Sequence, residues 1–239
     1  MRIQKQGFLY QITFLTNIFP VNCYIVEEES ELTLIDAALP YSHKGILKVA
    51  DQIGKPVTRI VLTHAHDDHL GSLDKLKEKL PNAKIYISER DSKLLKGDKT
   101  LQSDEPQMPI KGGAPKGLKS RPDFFVQDRE VVGSLQAVLA PGHTPGHMAF
   151  LDTRTNALIA GDAFQTRGGI AVAGKMNLLF PFPTFGTWNF KLSIKSAELL
   201  RNLQPSLLAV GHGDMLVNPI EEMSRSIIKA KETLRKKGK

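Results

Sequence analysis

Residues 57–69 of the chain read VTRIVLTHAHDDH, and this stretch joins a predicted strand to a cluster of histidines and aspartates. Apart from Arg59, its first seven residues are apolar or β-branched, which is the composition of a buried strand. Side chains of the metal-ligand type follow directly: they are His64, His66, Asp68 and His69. Imidazole nitrogen and carboxylate oxygen bind zinc and similar divalent cations, so the stretch predicts a metal site at the end of a strand.

Three further stretches have the same pattern, a short apolar run followed by glycine or proline and then by a side chain of the metal-ligand type. The runs are 135–140, 157–160 and 206–210, and the side chains that follow them are His143, Asp162 and His212. Residues that follow a strand lie on loops that the sheet holds in position. We therefore expect the four strand ends to converge on one spot.

Hydrophobic periodicity predicts the remaining elements. Further strands are predicted at 3–6 or 9–14, and at 22–26, 32–35, 84–87 and 149–151. Helices are predicted at 43–53, 71–80, 190–203 and 220–236, where apolar residues recur at three- and four-residue spacing. The segment 96–121 is rich in Gly, Pro and Lys and lacks periodicity. A loop this long is typical of a functional lid, with an inert insertion as the alternative.

Composition indicates an ordinary globular protein. Of 239 residues, 41% are hydrophobic and 24% are charged, and we expect a single domain over 1–239. The one cysteine, Cys23, lies in an apolar run and has no intramolecular partner, so we expect a buried structural thiol and a reducing cytoplasm. No apolar run resembles a signal peptide or a membrane span. The formal charge of +7 is concentrated in 95–127 and 221–239, which favours a solvated surface.

Four motifs, in this order, resemble those of the metallo-β-lactamase superfamily: THAHDDH at 63–69, PGHTPGH at 141–147, AGDAF at 160–164 and VGHGD at 210–214. The resemblance implies an α+β fold, the four-layer αββα sandwich in which two mixed sheets pack face to face with helices outside. It also implies a dinuclear metal centre. One metal is bound by His64, His66 and His143, the other is bound by Asp68, His69 and His212, and Asp162 bridges both.

Such a centre implies hydrolysis without a serine or cysteine nucleophile. Two metals roughly 4 Å apart share a water and lower its pKa from 15.7 toward ~7, so that the bridging hydroxide attacks a carbonyl. A metal also stabilises the oxyanion that forms. We expect two zinc ions per chain, with iron or manganese as alternatives, and proton transfer by Asp68 or Asp162. The implied substrate is a small ester, thioester or lactone.

Three nearby residues are assigned supporting roles. His147 closes the PGHTPGH motif after the ligand set is complete, so we interpret it as a residue that holds the His143 loop and not as a ligand. Asp67 is expected to face solvent or to cap a helix. Asp36 ends a predicted strand, and the resemblance implies a supporting contact to the site, with no such role as the alternative.

Departures from the branches of the family narrow the expected activity. His66 stands where the di-iron, oxygen-reducing branch has a glutamate. Asp162 occupies the bridging position that antibiotic-degrading members generally lack, so penicillin hydrolysis is not expected. Only 27 residues follow His212, too few for the helical substrate domain of glyoxalase II. All four tyrosines precede the second motif, so the substrate-contacting tyrosine of homoserine-lactone hydrolases has no evident counterpart.

Specificity is expected to depend on residues 164–190. The run FPFPTFGTWNF at 180–190 contains four phenylalanines and the only tryptophan of the chain. We interpret it as an apolar wall that receives an acyl or aromatic group, with core packing against the following helix as the alternative. Arg167 and Lys175 are candidates to pair with a carboxylate or phosphate of the substrate.

Two other activities stay open. Some relatives are mononuclear iron persulfide dioxygenases that use a His/His/Asp subset of the same ligands. An RNA-processing hydrolase is the third hypothesis, because residues 225–239 are basic. The expected partner is a small molecule. Neither a membrane nor a nucleic acid is expected as a partner, and a homodimer is left open.

Overall fold

The structure is a computed structural model that describes residues 1–113 and 116–237. Two residues of the predicted 96–121 loop, Ala114 and Pro115, lie outside the described residues, as do Gly238 and Lys239 of the predicted 1–239 domain. The chain forms two compact units. Unit 1 comprises Met1–Gly97 and Gly113–Val126, and unit 2 comprises Asp98–Gly112 and Gln127–Lys239.

The described residues of unit 1 form one seven-stranded mixed sheet whose strands lie side by side in chain order. The strands are β1 (Arg2–Gln6), β2 (Leu9–Phe14), β3 (Val21–Glu27), β4 (Leu32–Ile35), β5 (Val57–Val61), β6 (Lys84–Ser88) and β7 (Phe124–Val126). The first four pair antiparallel, whereas β4 to β7 pair in parallel. Nearly all of β3 and β4 is buried, as is usual for central strands with both faces covered.

Helices of unit 1 follow its parallel strands. They are α1 (His43–Ile53), α2 (Asp67–Leu70), α3 (Leu73–Lys79) and α4 (Glu89–Leu95). Helix α1 ends where Gly54 takes a φ of 79° and donates its N–H to the carbonyl of Ala50 at 3.0 Å. Helix α4 begins where the Ser88 hydroxyl accepts the N–H of Asp91 at 3.1 Å. Because these strands are parallel, their carboxyl ends share one edge of the sheet.

The single cysteine is a structural residue of unit 1. Cys23 lies in β3 and is fully buried. Burial, with a smaller contribution from the negative charge of Asp36, raises the pKa of the thiol well above its usual value. The thiolate that would be reactive is therefore disfavoured, which agrees with the structural role predicted from the apolar run.

Unit 2 contains a six-stranded mixed sheet and a two-stranded ribbon among its described residues. The sheet has the order β15 (Leu216–Val217), β14 (Leu207–Ala209), β11 (Ala157–Ile159), β10 (Met148–Asp152), β9 (Leu135–Leu139) and β8 (Val131–Val132), and the ribbon pairs β12 (Phe164–Gln165) with β13 (Ala171–Val172). Strands β9 and β11 both run antiparallel to β10, and β14 is parallel to β11. Consequently β9, β11 and β14 end at the same edge.

Three helices accompany this sheet: α5 (Phe182–Gly186), α6 (Phe190–Asn202) and α7 (Ile220–Lys237). The Asn189 side chain begins α6 by accepting the N–H of Leu192 at 2.9 Å. Leu200 of α6 and Met223 of α7 are buried in one core with Phe164. No helix in the described part of the chain is both long enough and apolar enough to cross a membrane.

Predicted and observed elements agree best where they are long. Helices α1, α6 and α7 match the predicted bounds within one residue, and both alternative strands at the N-terminus are present. Helix α3 begins two residues later than predicted, because α2 occupies the end of the metal-ligand motif. The elements that were not predicted are α2, α4, α5, β7, β8, β12, β13 and β15. Within 96–121, the described residues form no helix or strand.

Candidate metal centre

Unit 1 positions the metal-ligand motif and the residues that support it at the carboxyl ends of three parallel strands. Asp36 follows β4, the 63–69 motif follows β5, and Ser88 ends β6 where α4 begins. Strands β4 and β5 are neighbours, as are β5 and β6, so side chains on these loops are within reach of one another. Hydrogen bonds connect Asp36 to Thr63 and Asp91 of α4 to Ala65.

Asp36 connects the end of β4 to the metal-ligand motif. Its Oδ1 accepts the backbone N–H of Thr63 at 2.8 Å, and its Oδ2 accepts the Thr63 hydroxyl at 2.8 Å. The same Oδ2 lies 2.8 Å from Nδ1 of His69. Asp36 is buried and has a φ of 62°, in the left-handed region that aspartate and asparagine adopt more readily than most residues. Asp36 therefore makes the supporting contact that the resemblance implies.

These hydrogen bonds assign the protonated nitrogen of two histidines. An ionised carboxylate only accepts, so Nδ1 of His69 carries the proton that it donates to Asp36. The Thr63 hydroxyl donates to Asp36, so it accepts from Nδ1 of His64, 2.9 Å away. In both imidazoles the lone pair is left on Nε2, where a metal ion would bind.

The histidines of the motif lie together and are withdrawn from solvent. The ring of His64 has its centroid 4.8 Å from that of His66 and 4.1 Å from that of His69, and all three residues are buried. Asp68 is half-buried in the short helix α2. Asp67 is exposed, as predicted, but the N-cap residue of α2 is His66.

Asp91 is a buried carboxylate of unit 1 that sequence reasoning missed. Its Oδ2 accepts the backbone N–H of Ala65, the residue between His64 and His66, at 3.0 Å. Its own N–H donates to the Ser88 hydroxyl. Ser88 and Asp91 have the spacing of a helix N-terminus, which was the available signal, but that signal predicts a cap and not a contact to the metal-ligand loop.

Unit 2 brings its three candidate ligands together at the shared edge of β9, β11 and β14. Oδ2 of Asp162 lies 3.3 Å from Nε2 of His143 and 3.2 Å from Nε2 of His212. All three residues are buried. A carboxylate oxygen close to two imidazole nitrogens is a donor set that suits a divalent metal, while the bridging role of Asp162 stays a prediction.

The 187–189 segment holds the loop of His143. The His143 carbonyl accepts the backbone N–H of Trp188 at 3.0 Å, and the Gly142 carbonyl accepts that of Asn189 at 2.8 Å. The Thr187 hydroxyl lies 3.1 Å from Nδ1 of His143 and donates to the Pro183 carbonyl. It therefore accepts from Nδ1, and Nε2 is the nitrogen of His143 that faces Asp162 and would bind a metal ion. No sequence pattern indicated this role of Thr187.

His147 has the opposite hydrogen-bonding arrangement. Its Nε2 accepts the backbone N–H of Asp162 at 3.1 Å, so the Nε2 lone pair is committed to the backbone. Its ring centroid is 6.2 Å from that of His143. This geometry supports the prediction that His147 positions the ligand loops of unit 2 and does not bind metal.

Two glycines in the motifs of unit 2 are required by close backbone approach. Gly142 has a φ of 141°, and a Cβ there would lie 2.3 Å from the backbone nitrogen of Ser193. Gly213 has a φ of 110°, and a Cβ there would lie 2.4 Å from the backbone nitrogen of Arg167. Both positions therefore exclude larger residues and keep the neighbouring His143 and His212 in place.

The predicted apolar run at 180–190 divides into buried and exposed parts. Phe180 and Trp188 are buried, and the Phe180 ring has its centroid 5.3 Å from that of His212. The Trp188 indole donates to the Met108 carbonyl at 2.8 Å, which attaches part of the 96–121 loop to unit 2. Phe182, by contrast, is half exposed. The 180–190 run therefore contributes partly to the core and partly to the surface. The role of 96–121 as a lid stays a prediction.

The seven predicted ligands fall into two groups. The group of unit 1 comprises His64, His66 and His69, together with Asp68, which lies beside His69 in α2. The group of unit 2 comprises His143, Asp162 and His212. The donor set in each group, imidazole nitrogen and carboxylate oxygen, fits divalent metals such as zinc or iron. The complete seven-ligand centre stays a prediction.

Comparison with known proteins identifies the family. The model of the Metallo-beta-lactamase superfamily matches residues 16–212. The chain belongs to the metallo-β-lactamase superfamily.

Its relatives include YobT of Bacillus subtilis (strain 168), 58% identical over 97% of this chain and 100% of that protein. They also include the "probable metallo-hydrolase" YflN of the same organism, 29% identical over 80% of each chain. The hydroxyacylglutathione hydrolase GloC of Haemophilus influenzae is 26% identical over 89% of this chain and 95% of that protein.

Solved structures agree with the family. The metallo-β-lactamase DIM-1 has a TM-score of 0.72 with 16% identity and covers 97% of each chain, which confirms the predicted α+β sandwich fold of the superfamily. TTHA1623, solved in a di-iron-bound form, has a TM-score of 0.65 with 25% identity and covers 88% of this chain and 96% of that chain. Family and relatives support a metal-binding enzyme of the metallo-hydrolase class.

Proposed function

We propose that the protein is a dinuclear metal-dependent hydrolase that acts on a small ester, thioester or lactone. The observation that carries the proposal is the shared orientation of three imidazoles. In His64, His69 and His143, Nδ1 lies at hydrogen-bond distance from a supporting side-chain oxygen, which leaves Nε2 as the nitrogen that would bind a metal ion. Such supporting hydrogen bonds fix the tautomer and the ring orientation of ligating histidines.

In this proposal the ligands are divided as the family resemblance implies: His64, His66 and His143 for one ion, Asp68, His69 and His212 for the other, and Asp162 for both. Bound ions would supply a water of lowered pKa and polarisation of the substrate carbonyl. Zinc is the proposed metal. The relative solved in a di-iron-bound form makes iron the first alternative to test.

The residues of the chain then have distinct tasks. Hydrolysis joins the oxygen of water to the acyl carbon, breaks the acyl C–O or C–S bond and leaves the alcohol or thiol with a proton. Asp162 is buried close to two imidazoles, which suits it to bind metal and not to exchange protons with solvent. Asp68 is half-buried and reaches solvent, so we assign proton exchange with solvent to Asp68.

The relatives support a carbonyl substrate. Hydroxyacylglutathione, after which GloC is named, is a thioester. YflN carries only the name of a metallo-hydrolase, which is compatible with any of the three substrate classes. We therefore place thioesters first in a substrate screen, followed by esters and lactones.

The test combines metal content with activity. Elemental analysis of protein purified without added metal should find about two ions per chain, and a panel of thioesters, esters and lactones should include a substrate. His64→Ala and Asp162→Ala should each lower kcat/KM at least about a hundred-fold, whereas His43→Ala, outside all four motifs, should not. One iron per chain, together with oxygen uptake on persulfide and no hydrolysis, would replace this proposal with the dioxygenase hypothesis.

A further inference from the structure

An exposed apolar ridge lies in unit 2 beside the ligand His212. We define it as Met176, Leu178, Leu179, Phe182 and Phe185. Leu178 and Leu179 are 89% and 78% exposed, and Phe185 is 62% exposed. Single exposed apolar residues are ordinary, but five within ten positions concentrate apolar surface in one segment, and such a concentration is typical of a binding surface.

The ridge is continuous with the candidate metal centre. The ring of Phe182 has its centroid 5.3 Å from that of Phe180, and the ring of Phe180 has its centroid 5.3 Å from that of His212. Two contacts in series therefore bring the exposed Phe182 ring within about 11 Å of a metal-ligand side chain. An extended acyl chain of about ten carbons covers that distance, since bonds of roughly 1.5 Å at tetrahedral angles advance roughly 1.25 Å each along the chain.

Hydrogen bonds of Asn177 attach the start of the ridge to residues 167–169. The Asn177 side-chain amide lies 3.2 Å from the carbonyl oxygens of Arg167, Gly168 and Gly169, to which it donates. Its Oδ1 accepts the backbone N–H of Leu179 at 3.1 Å. A surface fixed before the ligand arrives loses little conformational entropy on binding, which favours a binding platform over a loose loop.

The segment of sequence that contains the ridge is basic, which favours an anionic amphiphile. Residues 163–197 contain no Asp or Glu and four basic residues, which are Arg167, Lys175, Lys191 and Lys195. Hydrolysis of an acyl ester or thioester yields a carboxylate product, and such an anion is attracted to a basic surface. An apolar chain with one anionic end matches both features of this surface.

We propose that the ridge binds the apolar acyl chain of the substrate, so that the enzyme prefers medium-chain acyl esters and thioesters to acetyl ones. This inference rests on the proposed hydrolase function and adds the substrate class. Leu178, Leu179, Phe182 and Phe185 are the specificity-determining residues, and Phe180 connects them to His212.

The test is a chain-length series of p-nitrophenyl esters from acetate to decanoate. For the wild-type protein, kcat/KM should rise about three- to four-fold per added methylene until the ridge is covered. In Leu178→Ser/Phe185→Ser, the ratio of octanoate to acetate kcat/KM should fall at least about ten-fold, with acetate hydrolysis little changed. The control Leu199→Ser/Ile228→Ser removes two half-exposed apolar residues, one from α6 and one from α7, and should keep the wild-type ratio.

A second measurement separates failure of this inference from failure of the hydrolase proposal. Calorimetric titration with decanoate and with acetate should show binding of decanoate that the ridge variant loses and the control retains. If no ester is hydrolysed but decanoate still binds in this way, the hydrolase proposal fails and the ridge assignment survives.

Three outcomes would overturn the assignment. The first is an octanoate-to-acetate ratio that the ridge variant shares with the wild-type protein. The second is a dimer, seen by sedimentation, that the ridge variant dissociates without any change in chain-length preference. The third is cosedimentation with phosphatidylglycerol vesicles that depends on the ridge while decanoate binding does not.

Discussion

Nδ1 of His69 lies 2.8 Å from Oδ2 of Asp36, and both side chains are buried. The carboxylate fixes the tautomer of the imidazole and increases the basicity of Nε2. Thr63 extends the same network to His64. Asp36 thus orients two candidate ligands of unit 1, His69 directly and His64 through Thr63, although it belongs to none of the four motifs.

Asp36→Asn should weaken metal binding roughly 10- to 100-fold. Asparagine tolerates the φ of 62° at this position, so the backbone should be preserved. Its amide has an NH2 donor in place of one carboxylate oxygen, however, so it cannot accept the Thr63 N–H on one side and the Thr63 hydroxyl and His69 Nδ1 on the other at the same time. Metal affinity is measured by competition with a chromophoric chelator.

The matched control for this prediction is Asp51→Asn, which neutralises an exposed aspartate of α1. Metal affinity should be unchanged in that variant. Equal affinities for wild-type protein and Asp36→Asn would show that Asp36 does not prepare His69.

Thr187→Val tests the corresponding contact in unit 2. Valine has nearly the shape of threonine but lacks the hydroxyl that accepts from Nδ1 of His143. We expect metal affinity to fall about ten-fold or more, with a loss of folding stability of about 1–2 kcal/mol. Chelator competition and thermal unfolding of the metal-free protein separate the two effects.

Thr233→Val is the control, since this threonine of α7 donates to the Lys229 carbonyl far along the chain from any motif. It should leave metal affinity unchanged. If Thr187→Val binds metal as tightly as this control does, the tautomer assignment for His143 is wrong.

The sequence predicts the candidate metal ligands more easily than the residues that hydrogen-bond to them or to their loops. His64, His143 and His212 each follow an apolar run and a turn, so local pattern alone places them at strand ends. Their supporting residues, Thr187 and Asp91, are far from them in the chain. These contacts depend on which strands become neighbours, and single-sequence periodicity does not determine that.

Element length explains most of the errors in secondary structure. Helix α6 has 13 residues, enough for the helical repeat to be visible, and its predicted bounds were nearly right. Helix α5 has five residues and β12 has two, fewer than are needed to distinguish a period of 3.6 from a period of 2. Such short elements are held by tertiary contacts and not by local propensity.

Stability in acid should depend on Glu27. The hydrogen bond from Lys55, with smaller ones from Tyr10 and Lys5, lowers the pKa of Glu27 from 4.5 to about 2, although partial burial acts in the opposite direction. Because the folded-state pKa is depressed, the stabilisation is present above about pH 4.5 and is lost as the pH falls toward 2.

Glu27→Gln should therefore be less stable than the wild-type protein at pH 7, by about 1 kcal/mol or less, and the difference should vanish near pH 2. Urea unfolding at several pH values measures it. A difference that is constant from pH 7 to pH 2 would contradict the assigned pKa. The control Glu232→Gln, on the exposed face of α7, should show no difference at either pH.

Gly213→Ala and Gly97→Ala form a matched pair. Both glycines have a positive φ, 110° and 82°, but a Cβ at Gly213 meets Thr166 and Arg167 whereas one at Gly97 meets nothing within 4 Å. Gly97→Ala should cost about 1 kcal/mol of backbone strain. Gly213→Ala should cost at least about 3 kcal/mol and also weaken metal binding, since it displaces the loop of His212. Similar losses in both variants would show that close approach at Gly213 is unimportant.

His147 gives the sharpest test of which histidines bind metal. Its Nε2 accepts the N–H of Asp162, so His147→Ala leaves that buried N–H without its partner and should lower the free energy of unfolding by about 1–3 kcal/mol. His147→Gln places an amide oxygen near the same point and should restore part of the loss. Both variants should bind as many metal ions per chain as the wild-type protein, whereas His143→Ala should bind fewer. A loss of one ion per chain in both His147 variants would make His147 a ligand and would overturn its assignment as a positioning residue.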